Sequence, residues 1–151
     1  MKRDWNGYAP LVLRLMLGIG FLYHGLPKLV SEAGRAGFAG MLESIAVPAP
    51  GLMAWVVAIV EVGGALALLA GIFTTLAALL LTVDMLVAMF AVHFAHGFNF
   101  LNITGMTETG PQFGMPGYEV NLLYIAMLLA VWFGGPGRYS LEAARVAPKM
   151  A

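Results

Sequence analysis

The sequence contains no cysteine and few charged residues. Without a thiolate, the chain cannot perform thiol redox chemistry, hold an iron–sulfur cluster or carry a thioether-attached haem. Asp, Glu, Lys and Arg make up only 11% of the residues, against about 25% in a typical soluble domain. The formal net charge is zero, which gives no reason to expect a nucleic acid or an acidic protein as partner. Any redox role must therefore use a bound cofactor.

Apolar residues dominate what is present. They make up 60% of the 151 residues, and the mean hydropathy is +0.84. Such a composition predicts an integral membrane protein, and the length suits a single domain over residues 1–151. Four apolar runs have about the length of a membrane span, namely residues 9–30, 51–70, 74–95 and 118–134. The predicted fold is all-α, an integral membrane four-helix bundle.

The connections between these runs differ in character. Ser31 to Pro50 is amphipathic, which predicts a short interfacial helix in the first outer loop. The link at residues 71–75 is so short that the second and third spans must be antiparallel neighbours. Residues 96–117 form a long, polar, glycine-rich loop with no predicted helix or strand. Loops of this length are often functional, and the composition does not decide between a lid and a docking surface. Ser140 is predicted to cap a short final helix.

The basic residues predict the orientation in the membrane. The first run contains Arg14 and ends in HGLPK instead of a small-residue cleavage site, so we interpret it as an uncleaved anchor. With Arg14 set aside, five basic residues lie on the side of the termini (Lys2, Arg3, Arg138, Arg145 and Lys149) and two on the other (Lys28 and Arg35). This excess predicts a protein of the cell inner membrane with both termini cytoplasmic.

Three charged residues fall inside the predicted spans: Arg14, Glu61 and Asp84. An arginine there costs at least ~2.5 kcal/mol unless it faces a partner or water. We expect Arg14 to reach towards the two carboxylates near the midplane. Two interpretations are open. A structural ion pair that sets helix register is favoured, because buried charges need partners whatever the function; the other is a path for protons or substrate.

A second group of residues collects near the outer boundary: His24, Lys28, His93, His96 and Glu119. All of them except His96 make up the candidate head-group site. Histidine can exchange a proton with a quinone head group, and lysine can donate hydrogen bonds to the carbonyls of that head group. Four neighbouring aromatic residues can supply ring contacts: Phe94, Phe98, Tyr118 and Tyr124. The group therefore predicts a quinone-binding pocket. Anchoring in the headgroup layer accounts for the same residue types equally well.

The facing of His93 leaves two forms of this pocket open. On a straight helix, His93 lies about 180° from Asp84. If Asp84 faces the bundle, His93 then faces lipid or a neighbouring subunit, and the pocket is intersubunit. A local unwinding near residues 91–94 would instead turn His93 towards its own bundle.

Two metal-binding hypotheses are weaker than the quinone pocket. His24 and His93 lie on different helices at similar depth, as two haem ligands would, but two histidines near one interface are common. Met85, Met89 and His93 form a stripe that suits copper(I), but methionine stripes more often serve packing. The sequence therefore predicts neither haem nor a metal site.

Several motifs together resemble the DoxX family of small four-helix membrane proteins. They are RLMLGIGFLYHGLPKL, PAPGLMAWVVAIVEVGGALALLAGIFT, the spacing of Met85, Ala88 and His93, and GPGRYSLE, in this order along nearly the whole chain. The resemblance implies a four-helix bundle related to the DoxD-type subunit of thiosulfate:quinone oxidoreductase and to membrane subunits that work beside soluble redox proteins. The positions that match the family pattern are Arg14, Gly18, Gly25, Lys28, Glu61, Gly63, Gly64, His93 and 135–142; Asp84 is not among them.

These observations predict a membrane component of a quinone-linked redox system. Its expected partners are the lipid bilayer, a soluble redox protein and further copies of the chain, and the sequence leaves open whether the chain is itself an enzyme. The alternative is a non-enzymatic membrane scaffold or assembly subunit that docks a soluble oxidoreductase through residues 96–117 or through the basic tail. A small-solute carrier is disfavoured, because the chain shows no inverted repeat and no pair of broken helices.

Overall fold

The structure, a computed structural model, describes residues 7–146, without the side chain of Val146. Lys2, Arg3 and Lys149, which contribute to the predicted orientation, lie outside the described residues. The chain is mostly helical. Its elements in order are α1 (Ala9–Val30), α2 (Glu32–Ser44), α3 (Pro50–Ala70), α4 (Thr74–Ala88), β1 (Ile103–Thr107), β2 (Gly110–Phe113), α5 (Glu119–Gly134) and α6 (Leu141–Val146).

Three helices are long and apolar enough to cross a membrane. They are α1, α3 and the helical stretch Thr74–His96 that begins with α4. The apolar α5 has 16 residues and is shorter. Contacts of α1 with α3, α3 with α4, α4 with α5 and α5 with α1 close these four helices into a ring. Leucine, phenylalanine and alanine side chains fill the centre, while many apolar side chains point outward, as lipid-facing residues do.

The third predicted span does not continue as a straight α-helix to residue 95. It changes to a π-helix at Met89–His93 and to a 3₁₀ turn at Phe94–His96. A π-turn holds more residues than an α-turn, so the residues that follow are rotated relative to Asp84. The structure therefore has a local change of helix type, which begins two residues before the segment where unwinding was considered.

The prediction that residues 96–117 contain no strand is wrong. Strands β1 and β2 pair as an antiparallel hairpin with Thr107 opposite Gly110 at the turn. The pairing is irregular between Ile103 and Gly105. This irregularity, together with the glycines and prolines, breaks the strict alternation by which a strand is usually identified from sequence.

At the end of the bundle where α1 begins, Arg14 donates hydrogen bonds to four backbone carbonyls. Nε lies 2.7 Å from the oxygen of Leu68, and a terminal nitrogen lies 3.3 Å from that of Leu69. The other terminal nitrogen bonds the oxygens of Pro136 and Tyr139. We call these five residues the Arg14 cluster. Because the last carbonyls of a helix have no partners within that helix, Arg14 completes the end of α3.

The chain after α5 folds over the same end. Ser140 Oγ accepts a hydrogen bond from the backbone N–H of Ala143, so Ser140 caps α6, as predicted. Glu142 accepts hydrogen bonds from both the backbone N–H and the hydroxyl of Thr74, and thus caps the beginning of α4. Pro10 packs against Gly137. Both ends of the described chain therefore lie at the Arg14 end of the bundle.

Gly71, in the turn between α3 and α4, tests this closure. Its φ of +68° is left-handed, and a Cβ there would lie 2.5 Å from Ser140 Cβ and 2.7 Å from an Arg14 nitrogen. We expect Gly71→Ala to lower the free energy of unfolding by more than the ~1–2 kcal/mol that a left-handed L-residue costs. Thermal unfolding in mild detergent measures this loss.

The matched control is Gly63→Ala within α3. A Cβ at Gly63 would meet nothing within 4 Å, so the substitution is expected to stabilise the helix by about 0.5–1 kcal/mol. Equal melting temperatures for the two variants would contradict the closure of this turn by Arg14 and Ser140.

Candidate functional site

A largely buried ion pair joins α1 to α3. Lys28 Nζ lies 2.7 Å from Glu61 Oε1 and 2.6 Å from Oε2, and the two side chains are only 16% and 6% exposed. Gly25 permits the close helix contact, because a Cβ there would lie 2.8 Å from Glu61 Cβ. The ring of Phe38 in α2 lies 4.3 Å from Nζ. The lysine is thus enclosed by a carboxylate and an aromatic face.

Asp84 of α4 lies at the same depth as this pair. Gly64 of α3 faces Leu81 of α4, and one turn further along these antiparallel helices Glu61 comes level with Asp84. Asp84 interacts electrostatically with both Glu61 and Lys28. No group within residues 7–146 donates a hydrogen bond to its carboxylate. Lys28, Glu61 and Asp84 therefore form a buried charge cluster with two acidic groups and one basic group.

The structure corrects the expected pairing of Arg14 with Glu61 and Asp84. Arg14 bonds Leu68 and Leu69, whereas Glu61 lies seven residues earlier in α3, about 10 Å along the axis. The guanidinium instead binds backbone carbonyls at the end of α3 and after α5. Lys28 provides the positive charge for Glu61, because α1 and α3 are antiparallel and Gly25 places the end of α1 against that carboxylate.

His93 and Glu119, from the predicted outer pocket, both hold the loop that joins α4 to α5. His93 Nδ1 lies 2.9 Å from the backbone oxygen of Pro116. Glu119 accepts a 3.0 Å hydrogen bond from the backbone N–H of Phe100. Between them, the ring of Tyr118 stacks on Phe94, with the ring centroids 5.3 Å apart. We call His93, Phe94, Tyr118 and Glu119 the junction site.

The other two residues of the predicted pocket lie elsewhere. Lys28 belongs to the buried charge cluster. His24 is exposed, with its ring edge-on to Tyr23 at 5.3 Å, and it contacts neither His93 nor Glu119 within the described chain. Within the described chain, Lys28, His24 and the pair His93 and Glu119 thus have separate contacts, and a single pocket of all four residues stays a prediction. The depth of a residue in the membrane can be counted along its helix, but the direction of its side chain relative to the other helices depends on how the helices pack.

A shallow depression of about 450 Å³ lies beside the junction site, between the base of the hairpin and the first turns of α5. Its walls are mainly apolar, with one carboxylate and one amide: Asn99, Phe100, Leu101, Glu119, Val120 and Leu123. Within residues 7–146, no group of three or more His, Asp or Glu side chains is placed to hold a metal ion.

Two residues outside the predicted sites hold functional elements in place. Glu142 caps α4, and Phe38 covers the Lys28 ammonium. In the sequence, only the position of Glu142 two residues after the capping Ser140 hinted at its role. Phe38 carried no signal, because a phenylalanine on an amphipathic helix is ordinarily part of its apolar face.

These features define a small helical membrane protein in which a lysine–glutamate pair lies buried between two antiparallel helices. The sequence model of the DoxX family matches residues 9–94, more than half of the chain, and the protein belongs to the DoxX family. The matched segment contains the whole buried charge cluster and His93, whereas the hairpin, α5 and α6 lie beyond it. No curated protein and no solved structure matches the sequence.

The Lys28–Glu61 pair makes a stability prediction. Lys28→Met leaves the Glu61 carboxylate without its cation in a buried position, so we expect a loss of about 3–5 kcal/mol in the free energy of unfolding. The double variant Lys28→Met with Glu61→Gln removes both charges and should recover most of that loss. Unfolding in detergent measures the free energy of unfolding of the parent protein, the single variant and the double variant.

Arg35→Met is the matched control. Arg35 is the other basic residue at this end, and its guanidinium lies 4.0 Å from the Trp55 ring centroid. Its removal is expected to cost only about 0.5–1 kcal/mol. If Lys28→Met cost no more than Arg35→Met, or if the double variant recovered nothing, the pair would not be the stabilising contact described.

Proposed function

We propose that this DoxX protein is a membrane component of a quinone-linked redox system and binds a quinone head group at the junction site. The observation that carries the proposal is the contact of His93 with Pro116. A carbonyl oxygen can only accept, so Nδ1 must carry a proton. In the neutral ring, Nε2 is then the unprotonated nitrogen and can accept or return a proton.

The surroundings of His93 suit a flat, conjugated ring. Phe94 and Tyr118 are stacked, and Phe98 meets Tyr118 edge-on at 5.6 Å. The adjoining depression has a volume within the range of about 300–1,000 Å³ that small-molecule sites occupy. Its apolar wall suits the ring and tail of a quinone, and the Asn99 amide suits a head-group carbonyl.

In this proposal, the chain binds the head group and exchanges its protons, while a soluble redox protein supplies or receives the electrons. Of the four residues in the predicted pocket, His93 and Glu119 keep a place at the site. Lys28 and Glu61 instead fix the packing of α1 against α3. We assign no transport path to the buried charge cluster, because a structural ion pair accounts for the contacts of Lys28 and Glu61.

We further propose that α5 is a fourth span and that α2 lies in the interface. Both ends of the described chain meet at the Arg14 cluster, which requires an even number of crossings. The Arg35 guanidinium over Trp55, between α2 and the first turns of α3, suits the headgroup layer. With the basic excess on the side of the termini, the proposed location is the inner membrane with both termini cytoplasmic.

A scaffold that docks a soluble oxidoreductase is the second candidate function. The specific observation in its favour is that residues 103–113 form an ordered hairpin outside the bundle, with exposed apolar side chains. Exposed apolar surface of this kind marks a contact with a protein or with a membrane. In this alternative, quinone binding is not required.

Quinone titration of the protein in lipid nanodiscs tests the first function. We expect a short-chain ubiquinone analogue to bind, and His93→Phe to weaken its affinity about tenfold, the effect of one lost hydrogen bond of about 1.4 kcal/mol. His96→Phe is the control, because His96 is exposed at the end of the same helical stretch. Equal binding by all three proteins, or none by the parent, would remove the support for a quinone site here.

The topology is tested with a phosphatase reporter that is active only outside the inner membrane. Fused after Ala151, the reporter is expected to be inactive; inserted at Glu108 in the hairpin turn, it is expected to be active, because the hairpin lies at the opposite end of the bundle. Activity after Ala151 would show that the proposed orientation is inverted or that α5 does not cross.

A further inference from the structure

The hairpin of β1 and β2 has two different faces because of its irregular pairing. Ile103 lies opposite Phe113, and Met106 lies opposite Pro111. Pro111 and Phe113 are two residues apart and share a face. Ile103 and Met106 are three apart and would face opposite ways on a regular strand, but the extra residue between Ile103 and Gly105 restores them to one side. We call these four residues the apolar hairpin face.

The opposite face is polar or lacks side chains. Gly105 lies opposite Gln112, and a Cβ at Gly105 would lie 3.3 Å from Gln112 Oε1. A Cβ at Gly114 would lie 2.7 Å from Thr104 Cγ2, which places Thr104 on this face as well. The hairpin is therefore amphipathic, although neither strand alternates regularly in sequence.

The apolar hairpin face is uncovered within the described chain. Met106 is 76% exposed, Phe113 59% and Ile103 55%. Residues 97–117 carry a single charged side chain, Glu108, at the turn between the strands. Charged side chains around the apolar hairpin face, as the polar rims of protein interfaces have, are thus nearly missing here.

The base of the hairpin is fastened to the ends of two membrane helices. Backbone hydrogen bonds run from Gly114 to Asn102 and from Gly117 to Asn99, and Tyr118 bonds Gly97. Exposed apolar side chains continue along this path from the helices to the strands, namely Phe90, Phe94, Phe98, Phe100, Leu101 and Leu123. The apolar hairpin face therefore continues the lipid-facing surface of the bundle.

We propose that the apolar hairpin face lies in the interfacial layer of the bilayer, about 5–10 Å into the headgroup and acyl boundary, with the polar face towards water. The hydrogen bonds to the chain just before α5 and just after His96 hold the hairpin beside the membrane, and the shortage of charge lowers the cost of placing it there. This inference does not rest on quinone binding. It differs from the scaffold function, in which the same face would be free to meet a soluble protein.

Because the sequence contains no cysteine, a single introduced cysteine can be labelled specifically. Met106→Cys reports the apolar face and Gln112→Cys the polar face, and both positions are exposed, so neither substitution disturbs packing. Each full-length variant is labelled with an environment-sensitive fluorophore and reconstituted into vesicles of phosphatidylcholine and phosphatidylglycerol. Quenching is measured with aqueous iodide and, separately, with lipids that carry a nitroxide near the headgroup. Phe113→Cys provides a second label on the apolar face.

We expect the labels at Met106 and Phe113 to be quenched several-fold less by iodide than the label at Gln112, and several-fold more by the lipid nitroxide. Equal iodide quenching on both faces would overturn the proposal and leave the apolar face available to a soluble partner. Protection from both quenchers that weakens as the protein is diluted in lipid would also overturn it, because a second copy of the chain would then cover the face.

Discussion

A charge or a backbone carbonyl inside a bilayer must find its partner within the protein, and α1 meets this requirement at both of its ends. Arg14 satisfies the final carbonyls of α3 at one end, and Lys28 neutralises Glu61 at the other. Gly25 allows the two antiparallel helices to approach closely beside Glu61. Since both basic residues have fixed partners, the register of α1 against α3 is determined, and the other helices pack on that pair.

The two ends of the bundle differ as a result. The Arg14 end is closed by backbone contacts and by Glu142 on the beginning of α4, which suits a structural role. The other end contains a π-turn, a loop held by His93 and Glu119, and an uncovered hairpin. π-Turns inside helices often occur at functional sites. The chemistry proposed for this DoxX protein therefore belongs at that end.

The buried charge cluster shows why an intramembrane charge does not by itself identify a transport path. Lys28 and Glu61 are joined by two short contacts, so their burial is explained by packing. Asp84 faces this pair without a hydrogen bond from any described residue. It differs from the residues of the junction site, where hydrogen bonds orient both His93 and Glu119.

Apolar runs long enough to span a bilayer can be found directly in the sequence, so composition and run length alone determined that this is a helical membrane protein and where its long apolar helices lie. Only the tertiary structure decided which groups the charged residues of the helices bind. From the sequence, Arg14 could be assigned a depth in the membrane but not a partner. Every residue has a backbone carbonyl, so the sequence cannot show which carbonyls accept its hydrogen bonds. The π-turn before Phe94 and the bulge near Thr104 change which way side chains face. The Arg14 partner Leu68 is 54 residues away in the chain. The π-turn and the bulge break the regular period on which a sequence pattern depends.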